Sequence, residues 1–409
     1  MMRVIVALSV AMLVGTIRAD DSAGYFLTRW SANQRVRVNS PDTLAGPHKD
    51  REESKATGKL TIDIPEPVES LRGAELYLEL WGGHPGTATK AVMLNGRGIY
   101  ALPEHGAAEM NCVYSYPLVS LKLADLVEGK NELQFSCEKG KSFWGHYIID
   151  NAAMRLAVPP EHARVEAMGL TGMRPPTVLA HQADERIDLS LDTPESMRPM
   201  IAAVDYQGFY DGYDENGDGA WRDWHGFTKS RRPQAIIGTA TNPPYRVTWH
   251  LSMLPDQKDM KVRAIVRFKG ESGLGYQTPA VEGLSTGPRA AAVRLHRAAD
   301  LPRPFWSRAS KRMACSIDLD EEPATIERAE LHAAIWDGGR GNVAEPFTLN
   351  GVALPVTGAG KHDLLYRVVP VEPHVLRKGP NQIVVFSDTE HHGIEVLLPG
   401  PALIVRSRR

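Results

Sequence analysis

The chain has 409 residues, enough for about two to four domains, and its 43% hydrophobic and 23% charged residues are typical of a folded rather than a disordered protein. Its 47 basic and 49 acidic residues give a net charge of −2, and its one basic block is the short tail 406–409. Nucleic acid and acidic membrane surfaces are therefore not expected as main partners.

The first segment, residues 1–19, has the pattern of a secretory signal peptide. Arg3 supplies the positive start, 4–14 is an apolar run too short to span a bilayer, and Ala19 is a small residue before the cut. The alternative is a buried N-terminal strand. No other apolar run approaches membrane length, so we expect a secreted or periplasmic protein without a membrane span.

An internal repeat organises the rest of the chain. Residues 61–96 align without a gap on 316–351, and 12 of these 36 positions are identical. The identities include Trp81 with Trp336, and the triplet Leu-Asn-Gly at 94–96 with the same triplet at 349–351. Because a repeat fixes one architecture for both of its copies, the sequence predicts a duplicated domain with a segment between the copies.

The residue pattern indicates strands throughout. In 74–81, Leu76, Leu78 and Leu80 alternate with polar or aromatic residues, which is typical of a half-buried strand. The Asn-Gly pairs at 95–96 and 350–351 tolerate positive φ and favour hairpins. No extended helical periodicity follows the first segment, so the sequence predicts an all-β protein.

The predicted β-domains resemble two known families of β-sandwich. The Leu-Asn-Gly turns, followed by 126–131 and 376–381 with the pattern Leu-x-x-Gly-x-Asn, resemble the galactose-binding-like sandwich that accompanies many secreted carbohydrate-active enzymes. Between the copies, the strands 245–249 and 262–264 with Pro255-Asp256 resemble bacterial immunoglobulin-like domains. The expected organisation is a signal peptide (1–19), a galactose-binding-like sandwich (20–158), an immunoglobulin-like sandwich (159–290) and a second galactose-binding-like sandwich (291–409).

A candidate calcium loop lies in the middle segment at 214–219. Asp214, Asn216 and Asp218 offer side-chain oxygens at alternate positions, and glycine follows, as calcium loops require. A histidine occupies the position at which an EF-hand carries glutamate, so Asp223 or Asp211 would have to supply the remaining ligand. The alternative is an Asx- and Gly-rich turn without a metal.

Aromatic residues surround this loop. They either stack on sugar rings or pack the loop onto its own domain, and packing is the favoured interpretation. The residues are Tyr206, Phe209, Tyr210, Tyr213, Trp221, Trp224, His225 and Phe227.

Corresponding loops of the two copies carry the candidate ligand-binding residues. Carbohydrate-binding sandwiches often hold their ligand on end loops, so the resemblance implies a role for Trp81, His84, Trp144, His146, Trp336, Asp337 and Arg340. His391 and His392 occupy a loop that corresponds to the one with Trp144 and His146. The alternative is that shared positions after a duplication reflect shared packing.

Catalytic motifs are almost absent from the sequence. Residues 283–287 match Gly-x-Ser-x-Gly, but they lie at the edge of a predicted domain and only echo a nucleophile motif. There is no His-Glu-x-x-His, P-loop or Cys-x-x-Cys pattern, and in a strand His391 and His392 would point to opposite faces. Cys112 and Cys137 could form a disulfide, whereas Cys315 is expected to be a buried thiol. The leading hypothesis is a non-catalytic protein that binds carbohydrate or cell-surface glycan. The alternatives are a structural protein that binds other extracellular proteins, and a polysaccharide hydrolase or lyase.

Overall fold

The computed structural model describes residues 23–107, 109–270 and 272–409. Strands make up 48% of the protein and helices 9%, which confirms the all-β prediction. The predicted signal peptide lies outside the described residues. None of the described helices is long and apolar enough to cross a membrane.

The first copy folds as two sheets that enclose a core. Its strands are β1 (Gly24–Trp30), β2 (Val36–Asn39), β3 (Lys59–Ile64), β4 (Gly73–Trp81), β5 (Ala88–Leu94), β6 (Gly98–Ala101), β7 (Tyr114–Ser115), β8 (Leu118–Leu121), β9 (Gly129–Lys139) and β10 (His146–Val158). One sheet has the order β3-β9-β5-β6, and the other contains β1, β10, β4 and β7 with β2 and β8 at its margins. Leu76, Leu78 and Leu80 point from β4 into the core, as the alternation predicts.

The middle segment has one small sheet and one hairpin of its own, and its other strands extend a sheet of the first copy. Its strands are β11 (Thr177–Ala183), β12 (Arg186–Asp192), β13 (Ile201–Asp211), β14 (Arg222–Trp224), β15 (Phe227–Lys229), β16 (Arg232–Gln234), β17 (Gly238–Ala240), β18 (Val247–His250), β19 (Met260–Phe268), β20 (Leu274–Gln277) and β21 (Val281–Leu284). A small sheet has the order β11-β12-β18, and β15 pairs with β16 as a hairpin. The remaining strands join the larger sheet of the first copy.

The second copy has its own pair of sheet layers and its own core. Its strands are β22 (Ala291–Ala299), β23 (Trp306–Ser307), β24 (Met313–Leu319), β25 (Ile326–Asp337), β26 (Phe347–Leu349), β27 (Val352–Ala353), β28 (Asp363–Val371), β29 (Gly379–Val385), β30 (Ile394–Val396) and β31 (Ala402–Arg408). Strand β22 pairs with both β31 and β24 and so links the two layers.

A sheet runs across the predicted boundary between the first copy and the middle segment. Strand β1 pairs with β10 along one edge and with β20 along the other, and both pairings are antiparallel. The sheet order is therefore β14-β13-β19-β20-β1-β10-β4-β7. One hydrophobic core extends from Tyr25 to Leu284, and a second core extends from Phe305 to Val405. The first copy and the middle segment thus share one core.

Short helices interrupt the strands. Residues 39–56 contain α1 (Pro41–Ala45), and α2 (Ala163–Ala167) follows the Pro159-Pro160 pair. The 3-10 turns are Glu52–Lys55, Val68–Ser70, Leu123–Asp125, Ser142–Trp144, Glu195–Met200, Pro323–Thr325 and Pro373–Val375. The turns at 68–70 and 323–325 lie at matching positions of the two copies.

The Leu-Asn-Gly turns make the same contacts in both copies. Asn95 and Asn350 both have positive φ, at 52° and 50°. The Asn95 side chain donates to Asn131 Oδ1 at 2.8 Å, and Asn131 bonds the backbone of 127 and 129. Asn350 and Asn381 repeat this arrangement, also with 2.8 Å between the two amides. Each turn is therefore fixed to the strand that follows the Gly-x-Asn turn.

The structure answers one question that the sequence left open and corrects one expectation. Cys112, Cys137 and Cys315 are all buried free thiols, so Cys112 and Cys137 do not form the disulfide that the sequence left open. His391 and His392 lie in a bend before β30 rather than in a strand, and His392 has a φ of 72°. The argument that adjacent strand residues face opposite ways therefore does not apply to them.

Candidate functional site

Four of the predicted ligand-binding residues come together at one end of the first copy. The ring centres of Trp81 and His84 are 5.1 Å apart, and His84 lies 5.5 Å from Trp144. His146 is 5.4 Å from Trp81 and 5.9 Å from His84. The second copy adds Trp306, which stacks on His84 at 5.6 Å. We call Trp81, His84, Trp144, His146 and Trp306 the aromatic cluster.

Backbone geometry at the strand ends positions this cluster. Trp81 ends β4 and His146 begins β10, and these two strands are paired through Trp81 and Ile148. The chain after Trp81 turns at Gly83, whose φ is 91°. A Cβ atom at Gly83 would lie 2.5 Å from the carbonyl oxygen of His146. Only glycine therefore lets the two strand ends approach closely enough for the rings to touch.

The cluster combines an exposed surface with a buried floor. Trp144 is 56% exposed, whereas His146 is buried, and the remaining three rings are half-buried. A mostly exposed indole next to other aromatic rings forms an apolar surface patch, which is uncommon on folded proteins and often marks a binding site. The arrangement leaves an aromatic face available to a ligand.

Trp336 belongs to a second group of rings in the second copy. Its ring stacks on His362 at 5.4 Å and lies 5.8 Å from His392, and the two imidazoles are 4.4 Å apart. The indole Nε1 of Trp306 donates to the carbonyl oxygen of His392 at 2.7 Å. We call Trp336, His362 and His392 the second cluster. Trp306 thus links the aromatic cluster to the second cluster.

Burial keeps the histidines of the aromatic cluster neutral. Burial, followed by the charges of Arg308 and Arg37, lowers the pKa of His84 to about 4. Burial and the charge of Arg37 lower the pKa of His146 to about 3. At neutral pH both imidazoles therefore have one nitrogen that donates a hydrogen bond and one that accepts. Such groups suit sugar hydroxyls better than they suit a formal charge.

The other two predicted ligand residues differ in their surroundings. Asp337 is buried, and its carboxylate accepts backbone N–H groups from Gly339 at 3.1 Å and Gly358 at 2.7 Å. Arg340 is exposed on the loop that follows. The carboxylate of Asp337 thus holds the local backbone, and a ligand-binding role for either residue stays a prediction.

Glu395 lies between Trp306 and Trp336 in the sheet of the second copy. On β30 it pairs in register with Trp306 on one side and with Trp336 on the other. Its buried carboxyl contacts the thiol of Cys112, which belongs to the first copy. Burial raises the pKa of Glu395 to about 7. The two copies therefore meet through a carboxyl group that burial favours in its neutral form.

In the candidate calcium loop, side-chain oxygens accept hydrogen bonds from backbone N–H groups of the same loop. Asp214 accepts the backbone N–H of Asp218 at 3.1 Å and of Gly219 at 2.9 Å, and Asn216 also accepts from Asp218. Burial raises the pKa of Asp214 and of Asp218 to about 7, and a hydrogen bond with Asp223 contributes at Asp218. No three His, Cys, Asp or Glu side chains in the described parts of the chain are grouped as metal ligands. Calcium here stays a prediction.

The aromatic residues around that loop pack against both copies. A Cβ atom at Gly217 would lie 2.2 Å from the carbonyl oxygen of Tyr114, so the loop abuts the first copy. The Tyr213 hydroxyl donates to the carbonyl of Gly400 at 2.8 Å, and the Arg297 guanidinium lies 4.1 Å from the ring of Trp221. The loop is therefore a contact between domains rather than a free surface turn.

The hairpin β15–β16 provides a further contact between the middle segment and the first copy. Glu79, on the outer face of β4, is buried beneath this hairpin. Its carboxylate accepts the backbone N–H of Ser230 at 2.9 Å and of Arg231 at 2.8 Å, and the Thr228 hydroxyl at 2.8 Å. Alternation along β4 predicts an outward side chain here. The sequence carries no signal that a segment about 150 residues later covers it.

Comparisons with known proteins give only weak structural likenesses. No protein-family model matches the sequence, and no curated protein matches it. A β-porphyranase of glycoside hydrolase family 86 from the human gut bacterium Bacteroides plebeius matches with 13% identity and a TM-score of 0.25, over 57% of this chain and 36% of that one. A β-glucuronidase from an uncultured Clostridium species matches with 8% identity and a TM-score of 0.19, over 71% and 48%.

A Ruminococcus gnavus β-glucuronidase, solved with D-glucaro 1,5-lactone, matches with 8% identity and a TM-score of 0.20, over 70% of this chain and 49% of that chain. The protein therefore spans between a third and a half of the length of these enzymes. At such identities and TM-scores, the likeness carries no argument about activity or ligand.

Proposed function

We propose that this protein is a secreted or periplasmic, non-catalytic protein that binds carbohydrate or glycan through the aromatic cluster. One observation carries the proposal. The two copies place the rings of Trp81, Trp144 and Trp306 each within 5.6 Å of the His84 ring, and Trp144 is largely exposed. The sequence resemblance to galactose-binding-like sandwiches supports the same function.

The chemistry of the cluster suits a sugar ring. The apolar face of a pyranose stacks on an indole, and the rigid ring loses little conformational entropy on binding. The neutral imidazole of His84 offers one donor and one acceptor beside Trp144, where ring hydroxyls of a stacked sugar would lie. A ligand on Trp144 would therefore meet both apolar and polar contacts.

Affinity electrophoresis of the mature protein, through gels cast with a panel of neutral and acidic polysaccharides, tests the proposal. We expect at least one polysaccharide to retard the protein, and Trp144→Ala to abolish the retardation. Because Trp144 is exposed, this substitution should leave the melting temperature nearly unchanged.

Trp224→Ala is the matched control. Trp224 is half-buried and has an arginine guanidinium over its ring, with Arg263 at 3.9 Å, but it belongs to the middle segment. We expect Trp224→Ala to retain the retardation. Retardation that survives Trp144→Ala, or an absence of retardation on every gel, would contradict the proposed site.

A further inference from the structure

The strongest charged feature beside the aromatic cluster is Arg308. It directly follows β23 on the second copy, and its guanidinium carbon lies 3.9 Å from the ring centre of Trp306. A guanidinium stacked on an indole keeps its hydrogen-bonding edge free, because the stacking uses only its flat face. The side chain is half-buried, so its position is restricted before any ligand arrives.

This cation has no carboxylate partner within ion-pair distance among the residues that the structure describes. Arg174, Arg222, Arg267, Arg294 and Arg406, in contrast, all form ion pairs with aspartate or glutamate. An arginine that is ordered by contact with an indole and forms no ion pair can form one with an external anion.

The charge of Arg308 acts on the cluster itself. It lowers the pKa of His84 in the first copy and the pKa of His392 in the second cluster. Arg37 adds a second cation, which also lowers the pKa values of His84 and His146. Glu395, which pairs with Trp306 in the sheet, is buried. Burial raises its pKa to about 7 against the opposing charge of Arg308, so this carboxyl group is only partly ionised at neutral pH. The surface near Trp306 and His84 is therefore electropositive.

We infer that the cluster binds an acidic polysaccharide, and that Arg308 is the residue that recognises its carboxylate or sulfate groups. The inference rests on the proposed function, because it places the sugar on the same rings. A sugar stacked on the cluster would bring an equatorial acidic substituent toward Trp306. The planar guanidinium there would form two parallel hydrogen bonds with the two oxygens of a carboxylate or sulfate. A neutral sugar would lack this contact.

Matched pairs of polysaccharides test this recognition. Polygalacturonate and its fully methyl-esterified form differ only in the carboxylate, and dextran sulfate and dextran differ only in the sulfate. They are added to the panel of gels, at low and at high NaCl concentration. We expect stronger retardation by the acidic member of at least one pair, and weaker retardation at high salt. Preference within the first pair identifies a carboxylate ligand, and preference within the second identifies a sulfate ligand.

Arg308→Gln should weaken binding of the preferred acidic polysaccharide by about tenfold, since one charge-assisted contact is lost. Arg308→Lys should restore only part of that loss, because an ammonium group cannot form the paired contact. Arg312→Gln is the control, since Arg312 is an exposed arginine over the ring of Phe386 at 4.7 Å. It should bind like the unaltered protein.

The outcomes separate this inference from the proposed function. If the neutral and the acidic polysaccharide of each pair retard the protein equally, and Trp144→Ala abolishes this retardation, the preference for acidic polysaccharides is wrong. Carbohydrate binding by the aromatic cluster would still stand. An Arg308→Gln variant that binds the acidic polysaccharide at full strength would overturn the role of Arg308. Absence of retardation on every gel would overturn both.

Discussion

The two copies share a turn and differ on the face that the middle segment covers. The paired asparagines, Asn95 with Asn131 and Asn350 with Asn381, make the same hydrogen bonds. Glu79 of β4 corresponds to Ala334 of β25, and both face the middle segment. Glu79 binds the hairpin through its carboxylate, whereas Ala334 donates its backbone N–H to the Tyr213 hydroxyl at 3.1 Å.

This difference separates positions that the fold of each copy requires from positions that depend on the neighbouring middle segment. The asparagine pair satisfies buried backbone groups within its own sheet, so any copy that folds this way needs it. The outer face of β4 and of β25 touches a different part of the middle segment in each copy. The two contacts therefore differ in chemistry. The first copy uses a carboxylate, whereas the second copy uses an aromatic stack, in which the rings of Tyr213 and Tyr366 are 5.4 Å apart.

The largest expected effect is the loss of the Glu79 contact. Glu79→Ala removes an acceptor from two backbone N–H groups and a hydroxyl and should destabilise the protein by about 4 kcal/mol. Tyr213→Phe, which removes the hydroxyl of the matching contact, should cost only about 1–2 kcal/mol. Denaturant unfolding measures both costs, and Glu132→Ala on an exposed strand position is the control. If the two costs are equal, the proposed difference between the two contacts is wrong.

Hydrogen exchange locates that effect. In Glu79→Ala the amides of Ser230 and Arg231 should exchange faster, while the amide of Ala334 should keep its protection. In Tyr213→Phe the reverse pattern is expected. Uniform acceleration in either variant would mean that the middle segment contacts both copies as one cooperative unit.

The contact between the copies should depend on pH through Glu395. Its pKa rises from 4.5 to about 7 in the folded state. Between these pH values the folded protein holds a proton that the unfolded chain releases, so this group lowers stability as pH rises through that window. Glu395→Gln is neutral throughout and should gain about 3 kcal/mol relative to the unaltered protein between pH 4.5 and pH 8. Thermal unfolding across this range measures the difference.

Glu128→Gln, at an exposed position, serves as the control for that experiment and should track the unaltered protein at every pH. A stability gap between Glu395→Gln and the unaltered protein that stays constant with pH would show that the carboxyl group titrates normally. Burial of Glu395 between the copies would then not favour a neutral acid.

Loss of the asparagine pair should lower the free energy of unfolding by the same amount in both copies. Asn131→Ala and Asn381→Ala each leave backbone groups of a buried turn without partners and should each destabilise by about 2 kcal/mol. Unfolding by denaturant gives the two values, and Asn242→Ala at an exposed site is the control. A difference above about 1 kcal/mol, which exceeds the usual scatter of such measurements, would show that one copy tolerates a loose turn.

Calcium is expected to give the smallest effect. If Asp214, Asn216, Asp218 and Asp223 bind it, a tenfold excess over Kd should stabilise the protein by about 1.4 kcal/mol, and a chelator should reverse the gain. Asp218→Asn should remove the response, whereas Asp63→Asn, at an exposed site in the first copy, should retain it. An unchanged melting temperature in calcium and in chelator would identify the loop as an Asx turn without a metal.

Side-chain periodicity made the strands predictable. Strand β4 was predicted as 74–81 and spans 73–81, and the predicted strand residues 262–264 lie inside β19, which spans 260–268. Periodicity works here because one face of each strand is buried, so its residues alternate. The pairing of β1 with β20 across the predicted boundary at 158–159 was not predictable from the sequence. Strands pair through backbone groups, which every residue carries, so the pairing leaves no residue pattern.

The candidate site was predictable only in part. The repeat and the end-loop resemblance indicated Trp81, His84, Trp144 and His146, which the structure brings together. Trp306 and Arg308 were missed, because they come from the other copy and lie before its repeated segment. Contacts between domains depend on how whole surfaces dock, and no local spacing encodes them.

The position of β1 between β10 and β20 has a consequence for biosynthesis. The strand nearest the start of the described chain keeps one edge unpaired until residue 277 has been made. At typical elongation rates of about 5–20 residues per second, that edge stays open for roughly ten seconds or more on the ribosome. An open edge can pair with another nascent chain, so the first copy expressed alone, as residues 20–158, carries a permanent site for aggregation.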